Sequence, residues 1–135
     1  MNSTATDIKR EKFVLPSMRK VPLTRCISTY GKKPQVDMAI EEMSELIKAL
    51  LKERRAQNGG SQTDIDIATL NIADEMADVI IMLSQLTFIF DNWIDVQAMI
   101  TVKLSRQEER LNERDKSITS DITPRRSSII SPFME

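Results

Sequence analysis

The sequence contains no histidine among its 135 residues. This absence excludes Ser-His-Asp and Cys-His catalysis, and it excludes zinc and di-iron sites that need imidazole ligands. The single cysteine, Cys26, excludes an internal disulfide and any multi-cysteine metal site, and we interpret it as a small buried hydrophobe. Catalysis by this chain would therefore use carboxylates, lysine, arginine, hydroxyls or a metal ion held by oxygen.

Glycine (three residues) and aromatic side chains (4 %) are also scarce, whereas Met, Leu, Ile, Ala, Glu and Lys are plentiful. This composition is typical of helical proteins. The longest apolar run, residues 79–83, is far shorter than the roughly 20 residues of a membrane-spanning helix. The first residues are polar and charged, without the apolar segment of a signal peptide. We therefore expect a soluble, cytoplasmic protein with no membrane partner.

The charges nearly cancel, with 20 acidic and 19 basic residues and a net charge of −1. This balance gives no support for binding a nucleic-acid polymer. The length suits one domain. We expect a flexible arm over residues 1–12, an all-α domain over 13–116, and a Ser/Thr/Pro-rich tail over 117–135.

Apolar spacing and turn residues predict the helices of this domain. We expect a short helix over 23–30 stopped by Gly31, and long helices over 34 to about 55, from about 64 or 66 to 90, and from near 93–95 to about 115. Residues 57–63 have the composition of a loop. The fold class is therefore an all-α bundle of three to four helices.

Two long apolar stripes lie on the predicted helices. The first contains Val36, Ala39, Ile40, Met43, Ile47 and Leu50, and the second contains Ile72, Met76, Val79, Ile80, Leu83, Leu86 and Phe90. Three helices bury little surface by themselves, so part of these stripes would stay in contact with water in a monomer. We expect the core to be completed by oligomerisation, as a homodimer or homotetramer.

Two pairs of acids occupy unusual places on these helices. Glu42 and Glu45 are three residues apart on the first long helix, and apolar residues lie beside them on the same flank. On the next helix, Glu75 lies only about 40° from the centre of the apolar stripe, and Asp78 lies about 100° away on the same side. Acids on a purely solvated face would not be placed in this way, so both pairs point towards neighbouring helices.

Converging carboxylates repel one another. Two like charges about 4 Å apart cost about 4 kcal/mol at an effective dielectric constant near 20. The acids can meet only if they are protonated, paired with lysine or arginine, or bridged by a cation. A hard ion such as Mg²⁺ suits a set of oxygen ligands without histidine. The spacing alone leaves a metal site and salt-bridged or solvated acids equally open.

The stretch Glu41-Glu42-Met-Ser-Glu45-Leu46, followed by Asp74-Glu75-Met-Ala-Asp78-Val79, resembles the ExxE…ExxD signature of the MazG-like all-α nucleoside-triphosphate pyrophosphohydrolases. The small phage-type members are similar also in Tyr30-Gly31 and Gln35 before the first long helix. The resemblance covers roughly residues 23–111. It implies hydrolysis of a nucleoside or deoxynucleoside triphosphate between the α- and β-phosphates, with Mg²⁺ as cofactor and Mn²⁺ as a substitute.

Several residue roles are implied by this resemblance. Glu42, Glu45, Glu75 and Asp78 would bind the metal, Glu41 would lie near the substrate, and Glu45 would also accept a proton from the attacking water. Lys103, Gln107 and Arg110 correspond to a K-x-x-x-N-x-x-R stretch that contacts the substrate, although Gln107 replaces the usual asparagine.

The residues themselves leave alternatives to these roles. Lys103 and Arg110 are two helical turns apart and project on one side, so they could meet phosphate oxygens. They could equally belong to an exposed helix end, paired with nearby glutamates. Tyr30 and Trp93 could stack on a base, although a lone aromatic residue more often packs in a core. The alternative function is a non-catalytic helical protein that oligomerises and presents its tails to a partner.

Overall fold

A computed structural model describes residues 19–122, and all regular secondary structure in this range is α-helical. The four helices are α1 (Lys20–Tyr30), α2 (Lys32–Gln57), α3 (Gln62–Phe90) and α4 (Trp93–Ile122). The predicted all-α class is confirmed. The predicted arm over residues 1–12 and the tail beyond residue 122 lie outside the described residues. In the part of the chain that is described, no helix is long and apolar enough to cross a membrane.

Gly31 alone separates α1 from α2. Its N–H donates to the carbonyl oxygen of Ile27 at 2.9 Å, which ends α1, and its φ of 95° is readily adopted by glycine. Helix α2 then begins at Lys32, two residues before the predicted start at Pro34. The proline lies in the first helical turn, where its missing N–H would have no intrahelical partner.

The turn between α2 and α3 is shorter than the predicted loop over residues 57–63. Ser61 caps α3, because its hydroxyl accepts from the N–H of Asp64 at 3.2 Å and its own N–H donates to the Asp64 carboxylate at 2.9 Å. Bonds from the side chain and backbone of Ser61 lower the pKa of Asp64. This reciprocal capping box starts the helix at Gln62, ahead of the predicted residues 64 or 66.

Helix α4 continues to Ile122, past its predicted end near residue 115 and into the predicted tail. Hydroxyl groups explain the difference. Ser117 donates to the carbonyl oxygen of Arg114, and Thr119 donates to that of Asp115, both at 2.7 Å. Serine and threonine are therefore accommodated within the helix by bonds to the preceding turn.

The chain divides after Val96 into two compact units. In the first unit α2 and α3 pack along their length, and α1 contacts both. The second unit includes the rest of α4.

Helix α2 does not bury its predicted apolar stripe. Ala39 and Ala49 are buried, but Ile40, Ile47 and Leu50 are each about half exposed, at 57 %, 58 % and 48 %. The half-buried residues between the two alanines, Glu42 and Leu46 among them, continue the buried line at helical spacing. The helix therefore places small residues towards its neighbours and leaves large ones exposed.

The kind of residue that α3 buries changes along its length. Ala68 and Met82 are buried and Glu75, between them, is half-buried. Towards the C-terminal end the buried residues are polar: Ser84, Gln85 and Thr87. Of the predicted stripe, Met76, Leu83 and Phe90 are exposed, whereas Ile72, Val79, Ile80 and Leu86 are half-buried.

Candidate metal centre

Three carboxylates meet between α2 and α3. Glu42 comes from the α2 line that includes Ala39 and Ala49, and Glu75 and Asp78 lie one turn apart on α3. One carboxylate oxygen of each residue lies within 4.8 Å of the other two. Glu42 and Glu75 are half-buried, and Asp78 is exposed, so this acidic triad is shielded on one side and open on the other.

The triad forms no ion pair in the described part of the chain, although the pKa of Lys48 is raised by Glu45 and, to a smaller extent, by the charge of Glu75. No lysine or arginine whose side chain the structure describes (residue 19 and residues 21–119) lies within ion-pair distance of the three carboxylates. The pKa of Glu42 is raised, first by partial loss of hydration and then by the charges of Asp78 and Glu75, with smaller effects of Glu41 and Glu45. The triad acids are therefore not ion-paired among these residues, and protonation, hydration of the carboxylates or a bound cation remains.

The donor set suits a hard divalent cation. Three carboxylates supply up to six oxygen atoms, and Mg²⁺ and Ca²⁺ prefer oxygen ligands in proteins. Mg²⁺ also retains several water molecules, which the exposed side at Asp78 leaves room for. The residues present therefore fit Mg²⁺.

Glu45, the fourth acid expected at the metal, is not part of this triad. Its Oε1 lies 2.6 Å from the Nζ of Lys48, one turn further along α2. This hydrogen bond and the charge of Glu45 raise the pKa of Lys48. Lys48 is exposed, with 61 % of its side-chain surface accessible, and Glu45 is half-buried, with 42 % accessible.

The other expected site residues are not members of the triad. Glu41 is exposed beside Glu42 on α2. Lys103, Gln107 and Arg110 are all exposed on the part of α4 that belongs to the second unit.

A groove of about 440 Å³ lies between α2 and α3 and includes Glu45 and Glu75 in its lining. Lys48, Lys52 and Asn71 line it as well, and the sequence did not single them out. Helical spacing could have indicated these lysines. Lys48 lies three residues after Glu45 and Lys52 lies four residues after Lys48, so all three share one side of α2.

The lone aromatic residues and the cysteine differ in burial. Tyr30 is 65 % exposed, so the expectation that it packs in a core is wrong for this residue. Trp93 is half-buried and makes contacts at the start of α4. Cys26 is half-buried on α1.

Comparisons with known proteins add no relative: no protein-family model, curated protein or solved structure matches the chain.

Proposed function

We propose that this protein is a Mg²⁺-dependent nucleotide pyrophosphohydrolase, with Mn²⁺ as a substitute. The observation that carries the proposal is the acidic triad, since Glu42, Glu75 and Asp78 converge and form no ion pair with any lysine or arginine side chain that the structure describes. Repelling carboxylates are not expected to meet for structural stability alone. The resemblance of the ExxE and ExxD segments to the MazG-like family supplies the substrate class.

The proposed reaction is attack of water on the α-phosphorus of a nucleoside or deoxynucleoside triphosphate. The bond from the α-phosphorus to the oxygen bridging it to the β-phosphorus breaks, giving the monophosphate and pyrophosphate. A bound Mg²⁺ would neutralise phosphate charge and polarise the reacting phosphate. Glu45 accepts the proton of the water, Lys103, Gln107 and Arg110 contact the substrate, and Glu41 also lies near the substrate.

A second copy of the chain is part of the proposal. Large apolar side chains on α2 and α3 are exposed in the single chain, including Ile40, Ile47, Leu70 and Met76. Exposed apolar surface of this kind is typical of subunit interfaces. We therefore propose a homodimer or homotetramer. The lone cysteine suits a reducing compartment, and we propose a cytoplasmic location.

The alternative function is a non-catalytic helical oligomer, which the same exposed apolar residues favour. Melting curves with and without Mg²⁺ separate the two functions. An enzyme that holds Mg²⁺ on the triad should melt at a higher temperature when Mg²⁺ is added, because the ion binds only the folded site. An unchanged melting temperature would contradict the enzyme and support the inert oligomer.

A further inference from the structure

We propose that the groove between α2 and α3 is a phosphate subsite, and that the Glu45–Lys48 ion pair opens when Mg²⁺ binds the acidic triad. This inference rests on the proposed function and names residues of the same site. Glu45 would then become a metal ligand, and Lys48 would be released to bind phosphate oxygens that the metal leaves free.

The lining of the groove supports binding of a polyanion beside a metal. The acidic residues of this lining are Glu45, Asp64 and Glu75, and Glu75 also belongs to the triad. Lys48 and Lys52 supply two ammonium groups along α2. Lys52 has no ion-pair partner among residues 19–122, so its charge is available to a ligand. A phosphate chain that reaches from the metal into the groove would therefore meet both lysines.

The position of Glu45 supports the opening of the ion pair. Glu42 and Glu45 are three residues apart on α2, a spacing at which helical side chains are neighbours. Glu45 and Glu75 line the same groove, so the Glu45 carboxylate lies on the side of α2 that faces a member of the triad. A divalent cation attracts this carboxylate more strongly than one ammonium does, and an exposed ion pair is weak. Binding of the cation would therefore draw Glu45 away from Lys48.

This competition predicts an effect on metal affinity that can be measured without activity. Lys48→Met keeps most of the aliphatic side chain and removes the partner of Glu45. It should tighten Mg²⁺ binding by up to about fivefold, the range expected for breaking an exposed ion pair. Isothermal titration of Mg²⁺ into the full-length, metal-free protein gives the dissociation constant directly.

A double-mutant cycle separates release of Glu45 from simple removal of a positive charge. The four proteins are the parent, Lys48→Met, Glu45→Gln and the double variant. If Lys48 acts by holding Glu45, Lys48→Met should tighten Mg²⁺ binding in the parent and much less in the Glu45→Gln background. Equal tightening in both backgrounds would show a general effect of charge and would overturn the opening of the ion pair.

Inorganic pyrophosphate is the probe for the subsite. At saturating Mg²⁺, Lys48→Met and Lys52→Met should each weaken pyrophosphate binding by about tenfold or more, as expected for lost hydrogen bonds between charged groups. Lys33→Met removes the same charge from α2 outside the residues lining the groove and should leave the affinity unchanged. Unchanged pyrophosphate affinity in Lys48→Met and Lys52→Met would overturn the subsite.

The experiments distinguish failure of the proposed function from failure of this inference alone. If the parent binds no Mg²⁺, the proposed function and this inference are both wrong. If the parent binds Mg²⁺ but the lysine variants bind Mg²⁺ and pyrophosphate as the parent does, the proposed function stands and this inference alone is wrong. Melting curves of each variant confirm that the exposed lysine substitutions leave the protein folded.

Discussion

The carboxylates of Glu42 on α2 and Glu75 on α3 lie within 4.8 Å of each other where the two helices pack together. Both side chains are half-buried, and none of the cationic side chains that the structure describes lies within ion-pair distance of either. The two negative charges therefore repel each other at the contact between α2 and α3, where other residues of the same helices stabilise the fold. A site arranged in this way is expected to be a local source of instability until a cation occupies it.

Replacing Glu75 by glutamine tests this relationship, because it keeps the shape of the side chain and removes one charge. In EDTA, the Glu75→Gln variant should be as stable as the parent or more stable, since repulsion is relieved. At a Mg²⁺ concentration one hundred times the dissociation constant, the parent should gain about 2.7 kcal/mol and the variant much less. Urea unfolding in the two buffers measures both effects.

Glu53→Gln is the matched control, since Glu53 is also half-buried on α2 but lies outside the triad. It should respond to Mg²⁺ as the parent does. If Glu75 instead stabilises the fold by pairing with a cation, Glu75→Gln would be destabilised in both buffers. That result would contradict the metal site.

The pH dependence of stability should reveal Glu42. Its pKa is raised in the folded state, so the folded protein binds a proton at this site more readily than the unfolded chain. In EDTA, ionisation of Glu42 should therefore reduce stability as the pH rises from below the ordinary glutamate pKa through the raised one. Glu42→Gln should remove this loss, becoming more stable relative to the parent as the pH approaches neutrality. Urea unfolding from pH 4 to 7 measures this difference, and a difference that stayed constant over that range would contradict a raised pKa of Glu42.

The lysine and arginine of α4 should affect substrate rather than metal. Lys103→Ala and Arg110→Ala should lower kcat/KM by roughly ten- to a hundredfold, as expected when a hydrogen bond to a charged group is lost. The increase in melting temperature with Mg²⁺ should remain. Lys116→Ala removes a charge from roughly the opposite side of the same helix and should have little effect. Loss of the response to Mg²⁺ in Lys103→Ala or Arg110→Ala would show that the residue helps to hold the metal site together.

The capping box at the start of α3 gives a prediction that is independent of function. Ser61→Ala removes the hydroxyl that accepts from the N–H of Asp64 and should destabilise the protein by about 1 kcal/mol. The response to Mg²⁺ should persist, because the triad lies further along the helix. A change below about 0.3 kcal/mol, smaller than a typical N-cap substitution, would show that this cap adds little to the stability of the fold.

Local sequence signals predicted the helices well, because each end has a short-range cause. Gly31 stops α1, and the polar turn after Gln57 separates α2 from α3. The end of α4 was harder to predict, since Ser117 and Thr119 favour a flexible tail by composition but bond to the preceding helical turn. Composition does not reveal whether such a hydroxyl finds a carbonyl oxygen.

The site was predictable only where periodicity determined it. The angle of Glu75 on α3 indicated a carboxylate beside the core, and the structure brings Glu42, Glu75 and Asp78 together. The pairing of Glu45 with Lys48 depends on the choice of side-chain rotamers, which sequence spacing does not specify. The exposed stripe on α2 shows a similar limit, since an apolar face is visible in the sequence but its packing partner is not.

Product analysis tests the central claim of Mg²⁺-dependent pyrophosphohydrolysis most directly. The full-length protein is incubated with Mg²⁺ and a panel of nucleoside and deoxynucleoside triphosphates, and pyrophosphate and orthophosphate are scored separately. We predict pyrophosphate and nucleoside monophosphate in equal amounts for at least one substrate, lost in EDTA and reduced by orders of magnitude in Glu75→Gln. Orthophosphate as the only inorganic product, from a preparation free of pyrophosphatase, or no hydrolysis of any triphosphate, would contradict it.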